Sequence, residues 1–415
     1  MSRSAATTRK IPAVLTRLDR WRRRSAESEK DASGARLEHR LRDRRNNFDV
    51  LRLLAASFVL FSHSYALTAH PEPFADVSGW TFGEIGVVMF FAMSGFLIAK
   101  SWGEQPHLWP FAVKRGLRLL PALVVAAFFT TFVVGAIFTV LPLSSYLTHP
   151  TTWIYFVRCS FLITFFGKLP GVFLTNPYPE AVNGSLWTLP VEACCYALAA
   201  VLGMLGLLRR SYVLLAFAVV LVLFVTPLSS ISLAPAGGTT SGNLPLVIML
   251  GATFVLGNLA YSLRARLHLS WPIGAALMAL WIVTWDGGWA RATGIVAIAF
   301  AVLVLAFRTP AWLRRLTAPG DLSYGIYVYA FPVQQSVAAI WGAIDPLLMM
   351  AIAFPVTYGL AFVSWRLIER PALGLKRRVA APSITALSAR TTSTGREDGS
   401  RTQSPSAEVS SSDQA

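Results

Sequence analysis

The chain has 415 residues, 54% of them hydrophobic and 14% charged, and a mean hydropathy of +0.53. Apolar blocks of about twenty residues, separated by short polar stretches, leave no room for a soluble reading and mark a polytopic membrane protein of many helices. The formal charge of +16 does not point to nucleic acid: much of it lies in the first 47 residues and near the C-terminus, and the rest punctuates the apolar blocks, as cytoplasmic membrane flanks do.

Residues 1–47 read as a basic cytoplasmic tail, long and arginine-rich, without the short apolar core of a cleavable signal peptide, so the first span has to act as the insertion signal. Ten apolar segments then follow, at 50–69, 82–99, 119–141, 187–208, 211–228, 244–263, 271–285, 289–307, 322–341 and 346–365. An eleventh, WIYFVRCSFLITFF at 153–166, is short and has Arg158 at its centre.

The loop charges decide whether that segment crosses. With a cytoplasmic N-terminus and ten spans, the inner loops hold the clusters around Lys114 and Arg118, Arg209 and Arg210, Arg264 and Arg266, Arg308 to Arg315, and Arg366 to Arg378. The outer loops hold little beyond Arg158 and Lys168. An eleventh crossing would turn four basic clusters outward, against the positive-inside bias, so 153–166 reads as re-entrant or interfacial.

The expected fold is therefore an all-α membrane helix bundle of ten transmembrane helices plus one short re-entrant or interfacial segment. It lies in the cell membrane with both termini cytoplasmic. A membrane domain at 48–370 is followed by a largely disordered tail at 371–415, rich in Ser, Thr and Ala. The outer segment 142–186 contains TNPYPEAVNGS, an ordered-loop composition, and loops of that length usually bind something or close a site. Cys159, Cys194 and Cys195 have neither the number nor the spacing of a disulfide framework or a zinc site, and no metal is expected.

The chemistry lies in four stretches. In DVLRLLAASFVLFSHS, residues 49–64, Arg52 and His63 are eleven residues apart, about three helical turns, which puts them on one stripe ~16 Å apart along the axis. Asp49, three residues before Arg52, shares that face. Arg52 alone reads as a snorkelling interfacial arginine and His63 alone as an interhelical hydrogen bond, but two ionisable groups on one stripe favour a functional channel. In KRGLRLLP, Arg115 and Arg118 concentrate positive charge at i, i+3 spacing, which serves as a membrane anchor or as a cradle for a phosphate-bearing ligand.

In NGSLWTLPVEACCY, residues 183–196, Glu192 falls within apolar sequence, where a carboxylate needs a partner; His63 is a candidate. In GEIGVVMFFAMSGFLIA, the small residues Gly86, Ser94 and Gly95 allow close helix approach or the passage of a slender ligand. Trp153, Tyr155, Tyr178 and Trp187 of the outer segment suit sugar rings, though aromatic belts occur at membrane interfaces without a ligand.

Taken in order, RNNFDVLRLLAASFVLFSH, GVVMFFAMSGFLI, RGLRLLP, SLWTLPVE, LSYGIYVYAFPV and LIERPAL resemble the acyltransferase-3 family of integral membrane acyltransferases, over residues 46–373. The resemblance implies ten helices and transfer of an acyl group, of acetyl size, from cytoplasmic acyl-CoA to a hydroxyl of a saccharide or lipid-linked glycan, with acyl-CoA as substrate and no bound cofactor. It implies His63, Glu192 and Arg52 as catalytic residues and Arg115 and Arg118 as substrate-binding, and the reading of the residues themselves adds Asp49, Ser94 and Trp187 to the substrate-binding set. In that reading His63 is the base, Glu192 orients it, and Ser94 is one candidate donor to the oxyanion. Many members carry a histidine where this chain has Ala330. Rival readings are an acyltransferase acting on a cytoplasmic small molecule such as a macrolide, and a proton-coupled transporter.

Overall fold

The computed structural model describes residues 37–42, 46–163, 167–228 and 244–379. Most of both expected tails, the end of the 153–166 segment, and the loop 229–243 lie outside the described residues. Among the described residues the regular structure is helical and no strand forms; an isolated antiparallel bridge joins Thr139 and Val172.

The helices are α1 (Leu37–Arg42), α2 (Phe48–Leu67), α3 (Pro73–Ser78), α4 (Phe82–Glu104), α5 (Leu108–Phe138), α6 (Leu143–Thr148), α7 (Pro150–Ser160) and α8 (Thr188–Met204). They continue with α9 (Ser211–Leu228), α10 (Leu244–Ser262), α11 (Trp271–Val283), α12 (Ala290–Arg308), α13 (Ser323–Trp341), α14 (Pro346–Ser364) and α15 (Arg370–Val379). Each of the ten expected segments is thus a helix.

Seven of the described helices are long and apolar enough to cross a membrane: α2, α4, α5, α8 with the turn that leads into it, α10, α12, and α14 with its continuation. α9 and α11 are shorter apolar helices, and α13 dilutes its hydrophobicity with buried Tyr324, Tyr327, Tyr329, Gln334 and Gln335. α7 has 11 residues and spans ~16 Å, half of a ~30 Å hydrocarbon core, as expected of a piece that does not cross.

Two boundaries differ from the sequence reading. α5 begins at Leu108, so Arg115 and Arg118 lie inside the helix rather than at its mouth. At the other end, α14 runs through a π turn (Trp365–Glu369) into α15, which packs on α5. Residues 371–379, assigned to the tail on composition, therefore continue the last helix.

α4 is central, packed on α2 and α10. The small residues there serve helix approach: a Cβ on Gly95 would fall 2.0 Å from the Phe254 carbonyl oxygen, and one on Gly86 2.5 Å from that of Ala55. α13, buried along most of its length, fills the space between α2 and α14. It also anchors the long segment before α8, because Asn176 donates to Gln335 Oε1 at 2.7 Å, Gln335 donates to the Tyr178 and Ala181 carbonyls, and Asn183 donates to the Val328 carbonyl at 2.9 Å. The TNPYPEAVNGS stretch is thus an ordered loop.

Candidate active site

α2 has 20 residues and neither glycine nor proline, so its register is unbroken and Arg52 and His63 keep their interval. They reach two different cavities. Arg52 lines one of ≈ 80 Å³ together with Ser94, Arg115, Arg118, Glu192 and Tyr196; His63 lines one of ≈ 430 Å³ together with Glu72, Tyr178, Ser185 and Trp187.

The arginine chamber is organised by a residue that the sequence reading missed. Asp321, in the short loop before α13, accepts from Arg118 Nη2 at 2.5 Å and from Arg52 Nη1 at 3.4 Å through Oδ2, while Oδ1 accepts from the backbone and hydroxyl of Ser323. Burial alone would raise this carboxyl, but the guanidiniums of Arg118 and Arg52 and the Ser323 hydrogen bond outweigh it and hold it at about 2. The carboxylate thus clamps α2, α5 and the start of α13 together. Asp49 is exposed and pairs with Arg52 at 3.2 Å.

Arg115 lies over the Tyr196 ring, 5.9 Å from its centroid, and its Nε is buried without a hydrogen-bond partner among the described residues. Glu192 Oε1 accepts from Ser94 Oγ at 3.0 Å and from the Tyr196 hydroxyl. This corrects the expected Glu192–His63 pairing: the carboxylate turns to the tyrosine four residues along its own helix and to α4. It also occupies the Ser94 proton that was a candidate for an oxyanion.

In the histidine chamber the His63 ring packs edge-on against Phe331 at 5.1 Å, and its buried Nδ1 has no hydrogen-bond partner among the described residues. Glu72, from the turn after α2, accepts from Phe82 N and Ser62 Oγ, both at 2.6 Å. Burial pushes its carboxyl up and nearby Glu84 adds to this, against those two hydrogen bonds. Of the four aromatics Trp153, Tyr155, Tyr178 and Trp187, Tyr178 and Trp187 line the chamber, whereas Trp153 bonds to the Leu147 carbonyl and Tyr155 packs beneath Gly167. Ala330 is buried against Ala56, Leu60 and Ala361 and lines neither cavity.

Val87 and Tyr327 line both chambers. The Tyr327 hydroxyl donates to the Ser185 carbonyl at 3.0 Å and shares a hydrogen bond with Thr188 Oγ1 at 2.5 Å, and its ring meets Phe90 edge-on at 5.7 Å. The two chambers are thus adjacent, with these two residues in both linings.

A family model described as an acyltransferase domain matches residues 45–366, nearly the whole helical region. The chain belongs to the acyltransferase-3 family. Two relatives of this acyltransferase cover its length well. An "O-acetyl transferase" of Shigella phage Sf6 is 32% identical over 337 residues, 78% of this chain and 95% of that protein. "Nodulation protein 10" of Rhizobium leguminosarum bv. viciae is 30% identical over 367 residues, 82% of this chain and 96% of that protein. No solved structure matches the acyltransferase.

Proposed function

We propose that this acyltransferase moves an acetyl-sized acyl group from acyl-CoA, held by the arginine chamber at the cytoplasmic side, to a hydroxyl of a saccharide in an outward-facing histidine chamber. The observation that carries this reading is the shared lining: Val87 and Tyr327 border both the chamber with three guanidiniums and the chamber of His63, whose buried Nδ1 has no hydrogen-bond partner among the described residues. The name of the phage relative supports the acetyl group. The basic inner loops support the orientation, with both termini in the cytoplasm and the bundle in the cell membrane.

Arg115, with its free Nε, and Arg118 and Arg52, already pre-set by Asp321, meet the phosphates of the donor. The thin pantetheine arm passes the Tyr327 wall and brings the thioester to His63. His63 accepts the proton of the acceptor hydroxyl, the oxygen attacks the thioester carbonyl, the C–S bond breaks, and the imidazolium returns the proton to the departing thiolate. Glu192 keeps Tyr196 and Ser94 in place against Arg115, a positioning task away from the imidazole.

The test compares label transfer from acetyl-CoA to glycan in membranes containing wild type or His63→Ala protein at equal levels. Loss of a general base predicts a fall of about 10²-fold or more. Full transfer by His63→Ala would refute the assignment.

A further inference from the structure

The two chambers differ in charge, although the carboxylate of Glu192 also lines the arginine chamber. The arginine chamber brings three guanidiniums together, whereas the ionisable lining of the histidine chamber consists, besides histidine and tyrosine, of Glu72, Asp76 and Glu84, with no lysine or arginine among the described residues. Glu84 is offset by Arg291 at 2.9 Å, a cation held at the Gly79 carbonyl and over the Trp80 ring, outside the lining. Asp76 is exposed on α3 and has no ion-pair partner among the described residues.

We infer that the histidine chamber selects a glycan acceptor without anionic groups, neutral or amine-bearing, and excludes uronate-, phosphate- or sulfate-bearing ones. The inference rests on the proposed transfer to a saccharide. An anionic sugar entering this cavity leaves water for a lining in which Glu84 is already offset by Arg291 and Glu72 and Asp76 have no ion-pair partner among the described residues, so both desolvation and like-charge repulsion oppose it. A neutral ring meets instead the faces of Trp187 and Tyr178 and the acceptor oxygens of the carboxylates, which take hydrogen bonds from sugar hydroxyls. The same chain builds a guanidinium cradle one cavity away, so the lack of one here is a property of the site.

The test uses membranes containing the full chain, labelled acetyl-CoA, and two matched pools: neutral oligosaccharides, and the same oligosaccharides oxidised at the primary hydroxyl to uronates, with secondary hydroxyls intact. Wild type should favour the neutral pool by about tenfold or more, and Asp76→Lys should narrow that ratio about threefold, with Asp76→Asn in between. Equal labelling of both pools by wild type overturns the inference. So does discrimination that is unchanged in Asp76→Lys and in Glu72→Gln, because the carboxylates would then not be its source. Consumption of acetyl-CoA with label in neither pool removes the saccharide reading beneath it, a result distinct from equal labelling.

Discussion

The arginine and histidine chambers are built by different means. The first is made of side chains on helices α2, α4, α5, α8 and α13, locked by an ion-pair network around one buried aspartate, and it is small. The second is five times larger, draws much of its lining from the turn after α2 and from the loop before α8, and leaves His63 Nδ1 without a hydrogen-bond partner among the described residues. A donor with fixed phosphates calls for guanidiniums whose positions are set before it arrives, because preorganised charges need no reorganisation on binding. An acceptor chamber lined by loops is open to change without disturbing the bundle, since loops tolerate substitution better than packed helices.

That contrast can be broken most severely at its best-ordered point. Arg118→Ala would leave Asp321 buried with only the more distant Arg52, at a cost of roughly 3 kcal/mol. We expect a sharp fall in detergent-solubilised thermal stability and a raised KM for acetyl-CoA, with Arg118→Lys recovering the stability only in part because a single ammonium lacks the fork geometry. An unchanged KM and melting midpoint would show that the network is ornamental to donor binding.

Acid tests the same network with no change at Arg118. Asp321 is held at about 2 in the folded state against an ordinary 3.8, so its contribution is complete above about pH 4 and is lost as pH falls through 2. The stability gap between wild type and Asp321→Asn, followed by tryptophan fluorescence on heating, should be constant from pH 5 upward. It should shrink by on the order of 2 kcal/mol as pH falls from 5 to 2. A gap that is indifferent to acid would mean that the carboxylate is not charged in the fold.

The smallest effect is expected at the wall. Tyr327→Phe keeps the ring and its packing on Phe90 but removes the hydrogen bonds to Thr188 and Ser185, a loss of about 1 kcal/mol. We expect near-normal stability together with a several-fold change in slow hydrolysis of acetyl-CoA without acceptor, measured as thiol release. No change in that side reaction would place the barrier between the chambers elsewhere.

Much of this was legible in the sequence, for physical reasons. Hydropathy located every long helix, because a segment that must satisfy its own backbone in lipid declares itself by composition. Arg52, His63, Arg115 and Arg118 stood out because charge within apolar sequence is costly. Asp321 did not: it is 203 residues from Arg118 and sits in a PGDLS turn, where an aspartate looks ordinary. Glu192 was noticed but given the wrong partner, since similar depth in a bilayer says nothing about which face a side chain occupies. The i, i+4 relation to Tyr196 was the available signal. Glu72 lies in a surface-like turn that the fold tucks inward, and composition carried no trace of that.

The placement of Tyr327 bears on the energetics of the whole cell. A pore joining the two chambers permanently would let protons run down the membrane potential, a drain worth about 2.3 kcal/mol per charge at 100 mV. In the proposed transfer the narrow substrate arm that passes Val87 and Tyr327 also fills the gap it enters, so the two chambers need never stand joined by open water.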